Sequence, residues 1–217
     1  MEVCRSRASR LEDDFVLSQD LIASVVDTDA PAARVWCPPR HVSFGPRDVR
    51  TPGYQEAMDR AREAGYAIRN RELGGRAVAF TGETVAMLVC EPAGNEDIGG
   101  RYERYLQWLE AYFRSIDLPV TRGEPAGSFC PGSCSLSIDG KVVGLAQRVR
   151  ADVAMLGGVI LVDDTETIAE ILGVVYPLLG LAFDEESVDG LARHRPDLSP
   201  DDVCTELATM LSTDRTF

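Results

Sequence analysis

Of the 22 basic residues in this chain 21 are arginine, and the single lysine is Lys141. Arginine is a planar fork with five donors, whereas lysine is a compact ammonium on a flexible stem. A site that needs a small movable cation does not accept the exchange. Eleven residues upstream, Cys130 sits in a loop of small residues and proline, among Gly127, Ser128, Phe129, Pro131 and Gly132, where exposure is expected. A thiolate is the reactive form of cysteine, and a neighbouring ammonium favours it. The same ammonium can polarise a carbonyl or hold the oxyanion formed when the thiolate attacks. Cys130 and Lys141 together therefore predict covalent chemistry at an acyl carbonyl. A second cluster holds Arg71, Gly74, Gly75, Arg76 and Ala77. Two glycines with free backbone N–H groups between two cations can receive an acyl or phosphate oxygen; taken alone, the cluster is also an ordinary β-turn.

Other residue types carry less. Cys130 and Cys134 stand four apart with no histidine nearby, short of the four ligands zinc requires, so no metal site is expected. A reversible disulfide between them stays open, as does a buried, inert Cys134 on a strand. His41 and His194 have no identifiable partner and read as surface or structural groups. Trp36, Trp108 and the aromatics around Tyr105 read as core.

The elements that must position these groups follow from periodicity. Residues 13–27 place Phe15, Leu17, Leu21, Ile22, Val25 and Val26 mostly on one helical face. Residues 33–37 are extended, and a short strand is expected at His41–Phe44. Tyr54–Glu63 is helical, stopped by Gly65. Strands are expected at 66–69 and 76–80 around a Gly74-Gly75 turn, and at 84–90. A helix over 99–116 leads to a loop over 122–133. Cys134, Leu136 and Ile138 then face one way and Ser135 and Ser137 the other. Asp139-Gly140 makes a two-residue hairpin turn into a strand over 141–148, and 153–162 pairs next. Helices at 165–175 and 200–212 complete the chain. This order gives an α+β fold with a mixed, largely antiparallel sheet flanked by helices. One domain over 1–217 is expected, with 163–217 as an acidic helical tail packed on it.

Charge excludes some partners. The 217 residues carry 35 acidic groups and a net −13, which repels phosphate backbones and anionic lipid, so neither nucleic acid nor membrane is an expected partner. From residue 160 onward thirteen acids face three arginines, a net −10, so the front of the chain is close to neutral and can host a positive pocket. Scarce lysine on an acidic surface fits a salt-adapted host, and a GC-rich genome would give the same lysine count. The longest apolar run, 171–183, contains Pro177 and is short of the ~20 residues that span a bilayer. With no signal-peptide pattern at the start and no paired spacing among six cysteines, a reduced, cytoplasmic setting is expected.

Two motifs carry a resemblance. Lys141, Gly144 and Ala146 after a glycine turn are similar to the lysine strand of the biotin/lipoate A/B protein ligase family. The run Arg71-Glu72-Leu73-Gly74-Gly75-Arg76-Ala77-Val78 resembles that family's Arg-x-(Ser/Thr)-Gly-Gly-(Gly/Arg)-Ala-Val signature. Phe44-Gly45 and the helix before Gly65 fall in the same order, and the likeness covers 33–162. Around Cys130, and through Leu136-Ser137-Ile138, the chain looks most like the octanoyltransferases that use a cysteine in this loop.

The resemblance implies the family's catalytic-domain fold and transfer of a lipoyl or octanoyl group to a lysine of a lipoyl-carrier domain. That carrier would be a glycine cleavage H protein or the E2 of a 2-oxoacid dehydrogenase. Cys130 would carry the acyl group as a thioester and Lys141 would sit at the acyl carbonyl. Arg71, Gly74, Gly75, Arg76, Ala77, Gly144 and Ala146 would surround the substrate, with no tightly bound cofactor. One alternative is an ATP-dependent lipoate–protein ligase, using ATP and Mg with Lys141 on an acyl-adenylate and a separate accessory subunit. The ~55 residues after Val162 are short for a further domain. Another alternative is a non-catalytic carrier- or lipoate-binding protein, and family breadth leaves biotinyl open as the acyl group. The chain departs from the family pattern at Leu73 (usually a hydroxyl), Phe80-Thr81 (His-Asp), Gly157-Gly158 (His-Gly) and Ser135 (an acid). These positions bear on nucleotide handling and acyl-pocket contacts. An apolar tunnel for an eight-carbon chain is expected from the Gly74-Gly75 turn along the strand 141–146, where Gly144 and Ala146 leave space.

Overall fold

An unbroken run from Thr84 to Cys90 is buried on both faces, and two layers of structure cover it. In the computed structural model, which describes residues 1–5, 10–94 and 96–213, this run belongs to the strand next to the central one of a seven-stranded sheet. The order is β1 (Glu2–Cys4), β2 (Ala32–Trp36), β6 (Thr84–Pro92), β10 (Val153–Leu161), β9 (Lys141–Val149), β8 (Ser135–Ser137) and β7 (Thr121–Arg122). Only β1 and β2 run parallel; the other pairs are antiparallel. A smaller sheet has β3 (His41–Phe44) between β4 (Ala67–Asn70), parallel to it, and β5 (Val78–Phe80), antiparallel. The mixed, mostly antiparallel sheet expected from the sequence is present.

Each face of the large sheet has its own core. On one face Val35, Met87, Val89, Leu156 and Ile160 pack against Tyr105, Leu109 and Phe113 of α3 (Ile98–Ser115) and Leu207 and Leu211 of α6 (Pro200–Thr213). On the other, Val159 and Leu161 meet Val42 and Phe44 of the small sheet, with Ala57 of α2 (Tyr54–Glu63) and Leu172 of α4 (Thr165–Leu178). Trp36, Ala86, Leu88 and Met155 on that same face receive Val25 of α1 (Leu11–Thr28). Each such side chain, fully buried, contributes about 1.5–3 kcal/mol, so the two cores dominate stability. The acidic tail thus packs on both faces, through α4 and α6; its residues 214–217 lie outside the described residues. Its last helix starts on a capping box: Ser199 Oγ accepts from Asp202 N at 3.2 Å, and Asp202 Oδ2 accepts from Ser199 N at 3.2 Å.

Two local expectations are corrected. The strands either side of Gly74-Gly75 are not neighbours, because β3 lies between them. The connection crosses the end of β3, with Arg71 N donating to Phe44 O at 3.0 Å. Gly45 lies so close to the Gly75 carbonyl that no Cβ fits. The β8–β9 turn is also longer than two residues. Ser137 pairs with Lys141 and Leu136 with Val143, so the turn is Ile138, Asp139 and Gly140, and Val142 is an extra, bulged residue. The buried Asp189, just before α5 (Leu191–His194), accepts the N–H groups of Asp139 (3.2 Å) and Gly140 (3.3 Å) and so holds the longer turn. A bulge bends the strand and re-aims its side chains. Val142 and Val143 both enter the α3 core, while Lys141 and Gly144 pair with Ser137 and Ser135 on the opposite face. No helix among the described residues is long and apolar enough to cross a membrane.

Candidate active site

Cys130 has φ +43°, a left-handed conformation that non-glycine residues seldom hold without support. Support comes from three sides. Its N–H donates to the Tyr176 hydroxyl of α4, which in turn donates to Ala77 O at 2.9 Å. Its Sγ accepts the Arg76 backbone N–H at 3.2 Å, with an Arg71 guanidinium nitrogen at 3.9 Å. Gly75, at φ +92°, lies directly against the sulfur, where any Cβ would overlap it. The Gly-Gly segment and the cysteine loop, 54 residues apart at Arg76 and Cys130, are therefore joined through the thiol.

The two arginines of the Gly-Gly segment serve a different purpose from the one expected. Arg71 donates to Ser43 O (2.5 Å), Gly74 O (3.0 Å) and Arg76 O (2.5 Å). Arg76 pairs with Asp48 at 3.2 Å; Asp48 is fully buried and also accepts from Gly45 N at 2.9 Å. Both guanidiniums are committed to shaping the loop.

Lys141 is fully buried. Its Nζ donates to Glu124 Oε2 at 2.6 Å, Phe129 O at 2.9 Å and Cys130 O at 3.0 Å, and lies 4.7 Å from the Phe129 ring centroid. The bulge lays the lysine stem across Gly144, where a Cβ would approach Lys141 Cε to 3.2 Å. The expectation that the ammonium faces the thiol is thus corrected: it grips the carbonyls of the cysteine loop, and the sulfur takes its hydrogen bonds from Arg76 and Arg71. The reason is satisfaction, since a buried ammonium has three donors and oxygen atoms accept them better than sulfur.

Cys130 opens onto a cavity of about 110 Å³. Leu73 and Arg71 flank the thiol, Gly144, Ala146 and Gly157 form the floor, and Trp36 closes the far side. Gly144, Val159, Ala86 and Trp36 are successive partners across four strands, so the cavity crosses three strand spacings, about 14 Å. Lys141, Gly74, Gly75, Arg76 and Ala77 are not among the residues of its wall. Among the described residues no group of three or more His, Cys, Asp or Glu is arranged to hold a metal.

Residues 12–211 match the lipoyl protein ligase A/B catalytic domain. The chain belongs to that family. It is 35% identical over 144 residues to an octanoyl-[GcvH]:protein N-octanoyltransferase of Exiguobacterium sibiricum, covering 65% of this chain and 52% of that protein. It is 26% identical over 205 residues to a lipoyl-[GcvH]:protein N-lipoyltransferase of Listeria monocytogenes, covering 92% of this chain and 71% of that one. The chain spans about half the length of the curated octanoyltransferases it matches. Among solved structures, a lipoate-protein ligase A bound with ATP superposes with a TM-score of 0.74 at 16% identity, covering 97% of this chain and 83% of that one. The bi-partite lipoate protein ligase of Thermoplasma acidophilum gives 0.72 at 17%, covering 97% and 82%. These two share the fold.

The positions at which the chain differs from the resembled motifs each have a contact in the structure. Leu73 Cδ1 occupies the space beside Gly157 where a Cβ would clash, so in this chain leucine at 73 requires glycine at 157. Phe80 stacks on His41 with centroids 4.5 Å apart and planes at 6°. Ser135 Oγ donates to Glu124 Oε2 at 2.7 Å, so an acid from the cysteine loop meets the hydroxyl at 135. Cys134 is half-buried against the α3 core, and Cys130 and Cys134 are both free thiols.

Both histidines have partners that the sequence did not identify. His194 Nε2 meets Asp189 Oδ2 at 2.7 Å. His41 is buried in the cavity wall, with Nδ1 on Pro39 O at 2.7 Å. Burial pushes its pKa down to about 4, with Arg69 and Arg71 adding to the shift, so it is neutral at pH 7. A histidine depressed from 6.5 to about 4 favours folding fully above pH 6.5, and that contribution is lost as pH falls toward 4. Between pH 7 and 5 the expected loss is about 2 kcal/mol. Urea unfolding of wild type and His41→Gln across this range checks it; equal pH slopes in the two proteins would refute it.

Glu124, Asp48, Tyr176 and Asp189 are the residues of this site that sequence reasoning did not single out. Glu124 left one signal, as the lone acid between Asp117 and Asp139.

Proposed function

We propose that this protein transfers an octanoyl or lipoyl group between carrier proteins through a thioester on Cys130. The observation that carries the reading is the Cys130 thiol, held by the Arg76 N–H at 3.2 Å at the mouth of an apolar cavity. Cys130 attacks the acyl carbonyl on the donor carrier, forming the thioester as the amide C–N bond breaks, and the departing lysine amine takes up the proton given up by the thiol. The acceptor carrier's lysine amine then attacks the thioester, forming the new amide as the C–S bond breaks, and the proton it gives up returns the sulfur as thiol. Lys141 grips the carbonyls of the loop that bears the sulfur. Arg71, Gly75 and the Arg76 N–H lie against the sulfur, and Gly74 and Ala77 accept from Arg71 and Tyr176 through their carbonyls. Gly144 and Ala146 leave room for the acyl chain. The names of the Exiguobacterium and Listeria relatives support this reaction and a lipoyl carrier as partner. Arg71 donates to the carbonyls of Ser43 and Arg76, and Arg76 pairs with Asp48, a loop-holding use of both cations that favours the transferase over the ATP-dependent ligase. The same reading has residues 1–217 acting as one catalytic domain in a reduced cytoplasm, in a salt-adapted host.

Intact mass after incubation with octanoylated and apo carrier domains tests it. An adduct of one acyl group, lost with hydroxylamine and formed without ATP, is the expected result. Lipoate-dependent exchange of pyrophosphate into ATP, with no adduct, would install the ligase. Carrier binding without transfer would leave a binding protein.

The cavity makes a graded prediction. Burial of each methylene is worth about 0.8 kcal/mol, so transfer efficiency in wild type should rise roughly fourfold per carbon from butanoyl to octanoyl donors. Ala146→Phe, filling the floor of the cavity, should flatten that series by lowering the long-chain end. An unchanged slope in the variant would place the acyl chain elsewhere.

A further inference from the structure

Glu124 joins three parts of the site: the lysine strand, the neighbouring strand at Ser135 and the cysteine loop at Gly132. Its Oε2 accepts from Lys141 Nζ at 2.6 Å and from Ser135 Oγ at 2.7 Å, and its Oε1 accepts from Gly132 N at 2.7 Å. Lys141 donates in turn to the carbonyls of Phe129 and Cys130. Glu124, Lys141, Cys130 and Gly132 thus close a ring of hydrogen bonds around the Cys130-Pro131 peptide, and the carboxylate is the one member that touches both ends of it. The lysine is fully buried and the side chain of Glu124 is only 13% exposed, so the pair is poorly screened and each group depends on the other.

We propose that Glu124 is a positioning residue for acyl transfer: it fixes the cysteine loop, through Lys141 at one end and Gly132 at the other, so that the thiol stays against the Arg76 N–H at the cavity mouth. The inference rests on the Cys130 thioester reading. It explains how the chain functions with serine at 135, because the carboxylate arrives from the loop to meet the Ser135 hydroxyl. A carboxylate grown from 135 would start within two hydrogen-bond lengths of the same ammonium.

Glu124→Gln keeps the size and removes the charge. The expected result is a fall in kcat of at least about thirtyfold with KM for the donor carrier within twofold, and recovery of at least tenfold when Ser135→Asp is added. Iodoacetamide labelling followed by peptide mapping reads the same loop without any turnover. Cys130 should label at least tenfold faster in Glu124→Gln and slow again in the double variant. Cys90, buried in β6, should stay protected throughout and serves as the measure of folding. Wild-type kcat and Cys130 labelling in a variant whose Cys90 stays protected would overturn the inference. If Glu124→Gln exposes Cys90, Glu124→Asp takes its place: a shorter acid cannot hold Lys141 and Gly132 together, and wild-type values in it are equally fatal. A wild-type protein that transfers nothing refutes the thioester reading, and the labelling comparison still decides Glu124.

Discussion

Cys130→Ser is expected to reduce acyl transfer by about a thousandfold or more, while Cys134→Ser stays close to wild type. A serine hydroxyl at neutral pH needs a general base, whose absence typically costs 10²–10⁴-fold. The chain has two histidines, and neither serves. His41, at a pKa of about 4, takes up few protons at pH 7, and its Nδ1 is bound to Pro39 O. His194 is held by Asp189. A thiol needs less help, being partly ionised near neutrality, and the Arg76 N–H already faces it. Single-turnover transfer and intact mass on both variants check the prediction. Full activity of Cys130→Ser in the presence of ATP and lipoate would mean that the intermediate is an adenylate.

The second large effect belongs to Lys141. Lys141→Met removes the donor for Phe129 O and Cys130 O and leaves the Glu124 carboxylate facing only Ser135 and Gly132. Breaking a buried ion pair by deleting one partner costs about 3–5 kcal/mol, so a clear loss of stability is expected together with at least a hundredfold loss of transfer. Lys141→Arg should also lose transfer by about a hundredfold, because the fork cannot fit between Gly144, Phe129 and Glu124. From the sequence alone, that variant would be expected to fold nearly as wild type. Full burial changes this: overpacking a closed site costs about 1–3 kcal/mol. Urea unfolding, with transfer measured where each variant is folded, separates the two losses. A well-folded Lys141→Arg with wild-type turnover would remove the lysine from the mechanism.

What could be read from the sequence was whatever depends on local periodicity. Tyr54–Glu63 has the limits expected, because apolar positions Ala57 and Ala61 fall one turn apart and Gly65 (φ +81°) ends the run. The long central strands showed themselves as β-branched runs bounded by turns. What stayed hidden depends on contacts distant in sequence. The strands β1 and β7 have three and two residues, too few to show a period, so no pattern announces them. The insertion of β3 between β4 and β5 depends on core packing and on Arg71, which ties Ser43 of β3 to the carbonyls of Gly74 and Arg76, 31 and 33 residues further along the chain. The types at the site were legible: a cysteine in a small-residue loop, the single lysine, paired glycines. Their mutual orientation was not, because it depends on Glu124 and Tyr176 closing the loop from two different elements.

The bulge at Val142 has a consequence for inheritance. Residues three apart on an ordinary strand project to opposite faces, yet Lys141 and Gly144 share one, and an odd interval inside a strand is a phase error that only an extra residue can absorb. With the interval kept at three and the bulge lost, regular alternation would swing the ammonium away from the cysteine loop, toward the α3 face of the sheet. Losing Val142 and the bulge together would leave an interval of two, which again sets both residues on one face. The interval and the extra residue are therefore coupled, and a lineage keeps both or loses both.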